Sequence, residues 1–148
     1  MKAVIQRVLS ASVAVDGKEI ASINCGLLIF IGVTKNDNSA DLDYIVKKTI
    51  GLRIFKDENL NMNLSIQDVG GEALVVSQFT LCANTKKGRR PSFINAAPPK
   101  IADSIYRQYC EKLHEENISV QRGQFGAMME VKLINDGPIT ILLNSLDR

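Results

Sequence analysis

The segment that most constrains this chain is 135–140, Asn-Asp-Gly-Pro-Ile-Thr, which lies between two runs of β-type residues at 129–134 and 139–144. Asp-Gly between alternating apolar segments is a strong hairpin signal, because glycine adopts a positive φ without steric cost. Such a turn does not require the proline that follows, which donates no hydrogen bond to a sheet. Proline also allows a cis peptide bond at a cost of only about 0.5–1 kcal/mol. The local sequence favours an ordinary hairpin turn and leaves the proline unexplained.

Length and composition indicate one soluble domain. The chain has 148 residues, enough for a substantial core, and its net charge of +2 is too small to indicate nucleic-acid binding by itself. Cys25, Cys82 and Cys110 are odd in number and have no metal-ligand spacing, which is typical of reduced thiols in a cytosolic protein. No apolar run is long enough to cross a membrane, and the first residues lack a signal-peptide pattern. We therefore expect a cytoplasmic protein with no membrane partner.

Hydrophobic periodicity predicts many strands and two main helices. We expect strands at 2–9, 12–15, 19–23, 26–33, 53–55, 72–81, 119–122, 128–134 and 139–144. The first helix should be capped by Asn38 or Ser39, and the second should span 100–116. Their expected inner faces are Leu42, Ile45, Val46, Thr49 and Ile50, and Ile101, Ile105, Tyr109 and Leu113. The predicted fold class is mixed α/β (α+β), a single domain over 1–148 with a curved, barrel-like β-sheet.

Familiar catalytic patterns are missing from the sequence. The one histidine, His114, stands near the end of the second predicted helix, where it favours a position in solvent or at the helix C-terminus. P-loop, GxSxG, GxGxxG and HExxH motifs do not occur. We predict no metal site and no cofactor. An enzyme with this inventory would not depend on side-chain acid–base catalysis.

Ser77, Gln78, Phe79 and Thr80 form a polar end to an apolar strand. One interpretation is a strand that surfaces into a loop; the other is a pocket floor where a hydroxyl, an amide and backbone N–H groups meet a small substrate. In a strand, Ser77 and Phe79 would share one face, and Gln78 and Thr80 the other. Thr80 could act as a nucleophile only with a nearby base, and the sequence places none beside it.

Two further segments each allow a structural and a functional interpretation. Residues 84–93 carry four basic side chains and no acid, and they favour either a solvated loop or a phosphate contact with Phe93 available for stacking. Residues 123–129 favour either a bend with core methionines or a pocket lining. The candidate phosphate contacts are Lys86, Lys87, Arg89 and Arg90, and the candidate pocket residues are Phe125, Gly126, Ala127 and Met129.

Four segments together resemble the D-aminoacyl-tRNA deacylase family. They are 6–8 (Gln-Arg-Val), 77–81 (Ser-Gln-Phe-Thr-Leu), 123–127 (Gly-Gln-Phe-Gly-Ala) and 135–140. The likeness covers essentially the whole chain, and Ser-Gln-Phe-Thr-Leu combined with a late Gly-Pro-Ile-Thr is a specific pair. Ile139 stands where valine is common in the family, and Cys82 where tyrosine is frequent. Neither difference affects the chemistry that the resemblance implies.

The resemblance implies an editing hydrolase that cleaves the ester of D-aminoacyl-tRNA, and of mischarged glycyl-tRNA, without a cofactor. It implies a cytoplasmic homodimer in which Gly137 and Pro138, joined by a cis peptide bond and braced by Arg7, exclude L-amino acids from the active site of the other subunit. Ser77, Gln78, Phe79 and Thr80 would hold the amino acid and the terminal adenosine. The 2′-hydroxyl of the tRNA, rather than Thr80, would assist catalysis.

Two alternatives stay open at the level of sequence. One is a related editing deacylase with a trans Gly137–Pro138 bond, acting on a small L-amino acid on a non-cognate tRNA. The other is a non-catalytic tRNA-binding module, which the basic segment and the missing catalytic side chains favour. In each case the expected partner is the aminoacylated 3′ end of tRNA, and neither DNA nor a membrane is expected.

Overall fold

The long N-terminal strand organises the sheet, because it pairs with three other strands. The computed structural model describes all residues from 1 to 148. In chain order the elements are β1 (Lys2–Val15), β2 (Lys18–Ile23), β3 (Gly26–Gly32), α1 (Ser39–Gly51), β4 (Phe55–Lys56), β5 (Met62–Leu64), β6 (Glu72–Ser77), a 3-10 turn (Phe79–Cys82), α2 (Pro99–Glu115), β7 (Ser119–Arg122), β8 (Glu130–Asn144) and a final 3-10 turn (Ser145–Asp147).

β1 pairs antiparallel with β3 along its first half, with β2 along its second half, and with β8 along almost its whole length. Parallel pairing of β3 with β6 and of β6 with β7 extends the sheet to the other side. Because β2 also packs against β6 and β7, the sheet curves into a nearly closed barrel. The predicted fold class, with its barrel-like sheet and two main helices, is confirmed.

Several predicted strand boundaries were wrong. The two strands expected at 2–9 and 12–15 are one continuous strand, β1. The strand expected at 53–55 is β4, which starts at Phe55 and pairs with β5, a strand that was not predicted. The strand expected to run to residue 81 stops at Ser77. Short apolar or polar runs do not fix where tertiary pairing begins and ends.

The predicted start of each helix and the predicted inner face of α1 are confirmed, whereas the predicted inner face of α2 is only partly correct. Asn38 caps α1: its Oδ1 accepts from the Ala40 N–H at 2.9 Å, and the Asp41 carboxylate accepts from the Asn38 N–H at 3.0 Å. On α2 the expected inward residue Ile101 is 52% exposed. Tyr109 and Leu113 are buried as predicted, and the rest of the buried stripe consists of Ala102, Tyr106 and Cys110. A helical stripe at 102, 106, 109 and 113 fits the 3.6-residue repeat better than the predicted one.

Two apolar clusters lie on opposite faces of the sheet. The larger packs α1 and α2 against β1, β3 and β6 and includes Ile5, Ile29, Ile45 and Tyr109. The smaller fills the barrel between β1, β2, β3 and β6 and includes Val8, Leu28 and Leu74. Neither helix combines the length and the apolar content that crossing a bilayer demands. The two helices cover one face of the sheet, and the C-terminal strand β8 lies at one edge.

Candidate active site

Residues 136–139 form a bulge in one strand, and the predicted hairpin turn at 135–140 is wrong. Both flanks pair with β1 in the same direction: Asn135 lies opposite Val8, and Thr140 lies opposite Gln6. Four residues of β8, 136 to 139, are thus accommodated opposite the single residue Arg7. The Asp-Gly signal is local, whereas pairing with β1 on both flanks keeps the chain extended.

Glycine is required at position 137. Its φ is +138°, which L side chains rarely adopt. A Cβ atom there would lie 2.7 Å from Cγ1 of Ile139 and 3.3 Å from a guanidinium nitrogen of Arg7. The peptide bond between Gly137 and Pro138 is cis, and both residues are solvent-exposed.

Arg7, on the neighbouring strand β1, anchors Asp136, the first residue of the bulge. Its side chain is only 2% exposed, and its Nε donates to the Asp136 carbonyl oxygen at 3.1 Å and lies 3.0 Å from the Asp136 carboxylate. A second guanidinium nitrogen donates to the carbonyl of Ile54. Two carbonyls and one carboxylate therefore compensate the buried positive charge. The guanidinium of Arg7 also lies beside Gly137.

Sequence reasoning missed Asn135. Its side-chain amide contacts the backbone of Ile139 at the far end of the bulge. The available signal was chemical: Asn side chains commonly bond to nearby backbone groups and take the place of a backbone partner. Within 135–140 we had assigned roles to the glycine and the proline alone.

The segment with Ser77, Gln78, Phe79 and Thr80 turns at the end of β6 instead of continuing as a strand. The Gln78 N–H still donates to the Ile31 carbonyl at 2.7 Å, but a 3-10 turn starts at Phe79, so the predicted alternation of faces is wrong. The Gln78 amide donates to the Thr80 hydroxyl oxygen. The first N–H groups of such a turn have no acceptor within it, which suits them to bind an oxyanion.

Neither hydroxyl nor thiol in this turn is set up as a nucleophile. The hydrogen-bond partner of Thr80 Oγ1 is an amide, which cannot remove a proton. The Cys82 thiol is buried and lies 3.4 Å from the Val33 carbonyl, to which it donates. Burial, together with the nearby Asp37 carboxylate, raises the pKa of the Cys82 thiol. His114 is exposed at the end of α2.

The basic segment forms an exposed loop beside this turn. Asn84 and Ser92 exchange backbone hydrogen bonds of 2.8 and 3.0 Å, which close the loop at its base. The rings of Phe79 and Phe93 meet edge to face with centroids 4.9 Å apart, and Phe79 is 55% exposed. The four basic side chains at the tip are exposed, namely Lys86, Lys87, Arg89 and Arg90.

The candidate pocket residues have mixed environments. The Gly123 N–H donates to the Val75 carbonyl at 2.9 Å, which joins this segment to β6. Phe125 packs against Tyr106 with ring centroids 6.0 Å apart, and Met129 borders the smaller core. Ala127 is half-buried. Gly126 is exposed, and a Cβ there would meet nothing within 4 Å, so its positive φ of 76° rather than close packing favours glycine.

The bulge and the 3-10 turn are far apart within one chain. Gln78 bonds to Ile31, which lies opposite Ala3, whereas the bulge lies opposite Arg7. Four residues of β1 separate these levels, which is about 13 Å along a strand. Two strands, β1 and β3, also lie between β8 and β6. The structure therefore does not bring the two candidate segments together in a single chain.

Comparison with known structures defines the class of fold. A probable eukaryotic D-amino acid tRNA deacylase superposes with a TM-score of 0.79 at 17% identity, covering 96% of this chain and 97% of its own. The c-Myc DNA unwinding element binding protein superposes with a TM-score of 0.92 at 39% identity, covering 97% and 98%. The barrel-like sheet with two helices is the fold of these proteins.

Sequence comparison gives the family. Residues 4–144 match the model of the D-Tyr-tRNA(Tyr) deacylase family. D-aminoacyl-tRNA deacylase from Clostridioides difficile is 54% identical over 145 residues, covering 98% of this chain and 97% of the relative. The enzyme of that name from Desulfatibacillum aliphaticivorans is 51% identical and covers 98% and 99%. The chain belongs to the D-Tyr-tRNA(Tyr) deacylase family.

Proposed function

We propose that this chain is a hydrolase that cleaves the ester of D-aminoacyl-tRNA and releases the free D-amino acid and intact tRNA. The observation that carries the proposal is the family match over residues 4–144. The test is incubation of the protein with D-tyrosyl-tRNA, followed by measurement of free tyrosine and of the tRNA. Catalytic release of tyrosine with an intact tRNA supports the hydrolase. Tight binding without turnover would favour the non-catalytic tRNA-binding module instead.

Gly137 and Pro138 are proposed to select chirality through their backbone. Arg7 supports this role, because two contacts from its Nε anchor Asp136, the residue before Gly137. This anchor would restrict the movement of the exposed Gly137–Pro138 pair. Carbonyl groups fixed near the α-carbon of the substrate would exclude an L side chain but admit a D side chain or a hydrogen. Backbone selection of this kind is tolerant of side-chain identity, so glycyl-tRNA is a proposed second substrate.

Gly137 and Pro138 are proposed to act as a chiral filter in trans, so that in a homodimer they enter the active site of the other subunit. Along β1 the bulge lies about 13 Å from the 3-10 turn, which is too far for both to contact one aminoacyl group. β8 pairs on one edge only and carries exposed Leu133, Ile134 and Leu142. An unpaired edge with exposed apolar side chains is typical of an association surface. A second copy would cover this strand and supply the missing half of the site.

The chemical step is proposed to depend on position and on the substrate itself. An aminoacyl ester is already activated, so orientation and stabilisation of the oxyanion can supply much of the acceleration. The N–H groups at the start of the 3-10 turn near Phe79 and Thr80 would bind the developing negative charge. The 2′-hydroxyl of the terminal ribose would assist the proton transfer, because no side chain here is placed to act as the base.

Contacts with the tRNA are proposed at the basic loop. The loop is closed at its base by Asn84 and Ser92 and lies next to the Phe79–Phe93 pair, so phosphates on the loop and a base near the rings could belong to one bound 3′ end. The proposed partner is the aminoacylated end of tRNA, and the proposed location is the cytoplasm. The four basic side chains carry no acidic neighbour within the loop.

A further inference from the structure

Ile139 is the one end of the bulge that β1 does not hold. The pairing passes from Val8 opposite Asn135 directly to Gln6 opposite Thr140, so the backbone of Ile139 has no ladder partner on β1. Ile139 is half-buried, and its side chain packs against the larger core. Backbone polar groups that are withdrawn from water need another hydrogen-bond partner.

The side chain of Asn135 supplies that partner. Its Oδ1 accepts from the Ile139 N–H at 2.6 Å, and its Nδ2 donates to the Ile139 carbonyl at 3.0 Å. Only one orientation of the amide satisfies both groups, because one is a donor and the other an acceptor. Nδ2 also lies 3.3 Å from the hydroxyl oxygen of Thr140. The amide thus replaces a strand neighbour across the neck of the bulge.

We infer that Asn135 is a positioning residue for chiral selection, which acts by fixing Ile139 and through it the exposed pair Gly137–Pro138. Arg7 fixes the other end of the same bulge through Asp136. The coupling from Ile139 to Gly137 is steric, since Cγ1 of Ile139 occupies the space beside the glycine that a Cβ would need. This inference rests on the proposed function, in which Gly137 and Pro138 distinguish D from L substrates.

The test compares D- and L-tyrosyl-tRNA hydrolysis by Asn135→Ala and Asn135→Asp. Alanine removes both hydrogen bonds to Ile139. Aspartate keeps the size and the acceptor but sets a carboxylate oxygen against the Ile139 carbonyl. We expect the ratio of D to L kcat/KM to fall at least roughly tenfold in both variants, because unpaired polar groups at the neck let the tip move. An unchanged ratio in both variants would overturn the inference.

Asn38→Ala is the matched control. It also removes an Asn side-chain contact to the backbone, the cap of α1, and so it lowers stability without touching β8. Its D to L ratio should equal that of the wild type. An equal fall of the ratio in this variant would show a general effect of destabilisation and would overturn the positioning role.

Amide hydrogen exchange at Ile139 separates this inference from the proposed function. Exchange should be at least roughly tenfold faster in the Asn135 variants than in the wild type, whatever the substrate. A wild type that does not prefer D-tyrosyl-tRNA would refute the proposed function. Faster exchange in the Asn135 variants would still show that Asn135 anchors Ile139. Unchanged exchange in these variants would overturn the inference that Asn135 anchors Ile139. The isosteric aspartate variant carries the comparison if the alanine variant does not fold.

Discussion

Arg7 and Asp136 are joined twice across paired strands: one nitrogen, Nε of Arg7, lies 3.1 Å from the carbonyl oxygen of Asp136 and 3.0 Å from its carboxylate. The arginine is buried and the aspartate is partly exposed, so the contact ties an interior cation to the base of a surface bulge. The same guanidinium also bonds to Ile54, in the segment that follows α1. Through these contacts of Arg7, the bulge is fixed to the buried core.

Arg7→Lys should weaken both stability and chiral discrimination. An ammonium cannot reproduce the planar fork that reaches Asp136 and Ile54 together, and the carbonyl left without a donor should cost about 1–3 kcal/mol. We expect a lower free energy of unfolding in urea and a larger rate with L-tyrosyl-tRNA. The matched control is Arg107→Lys, because Arg107 pairs with Asp103 on the exposed face of α2. Equal effects of the two substitutions would contradict this account of Arg7.

Thr80→Ala should lose far less activity than removal of the terminal 2′-hydroxyl of the tRNA. The Thr80 hydroxyl is bonded to an amide and has no base, so its loss should reduce the single-turnover rate by about tenfold or less. Loss of the 2′-hydroxyl should cost about 100-fold or more, as for removal of a proton-transferring group. Thr80→Ser serves as the control that keeps the hydroxyl. A Thr80→Ala protein that binds substrate normally and is inactive would refute the prediction.

Neutralising the basic loop should weaken tRNA binding and flatten its dependence on salt. For every phosphate of single-stranded RNA that the loop no longer neutralises, the slope of log K against log salt should become shallower by about 0.7. The variant replaces the four basic residues Lys86, Lys87, Arg89 and Arg90 with glutamine. Its control replaces four exposed lysines elsewhere, Lys18, Lys47, Lys48 and Lys56. If the slope is unchanged, or changes equally in the control, the loop is simply solvated.

The inner face of α2 should make the fold sensitive to alkali. Burial raises the pKa of the Tyr106 and Tyr109 hydroxyls, and burial raises the pKa of the Cys110 thiol to about 12. The unfolded chain loses these protons from about pH 8.5 to 10, while the folded chain keeps them. Stability is therefore fully present below pH 8 and falls as the pH rises, by up to about 1.4 kcal/mol per pH unit for each group.

Tyr106→Phe tests this alkaline limit by removing one of the three groups. The free energy of unfolding of the variant, measured in urea from pH 8 to 11, should fall less steeply than that of the wild type. The variant also loses the 2.8 Å hydrogen bond from Tyr106 to the Val75 carbonyl, which lowers stability by a similar amount at every pH. Only the slope is diagnostic, and identical slopes would contradict the prediction.

The sequence was sufficient for features that depend on local chemistry. The Asn38 cap of α1, the two helices and the apolar centre of β3 each follow from short patterns, and the structure has them. The bulge at Asp136–Ile139 could not be predicted in this way, because a local Asp-Gly signal is the same in a hairpin and in a bulge. Only pairing with β1 distinguishes them. Asn135 was missed for the same reason, since its partner Ile139 becomes available only when the ladder is interrupted.

The most direct test of the central claim is the ratio of the single-turnover rates with D- and L-tyrosyl-tRNA on the same tRNA. If Gly137 and Pro138 form a chiral filter, the protein should hydrolyse D-tyrosyl-tRNA at least about 100-fold faster than the L form, a difference of about 2.7 kcal/mol in the barrier. Equal rates with the two substrates, or faster hydrolysis of the L form, would contradict the account.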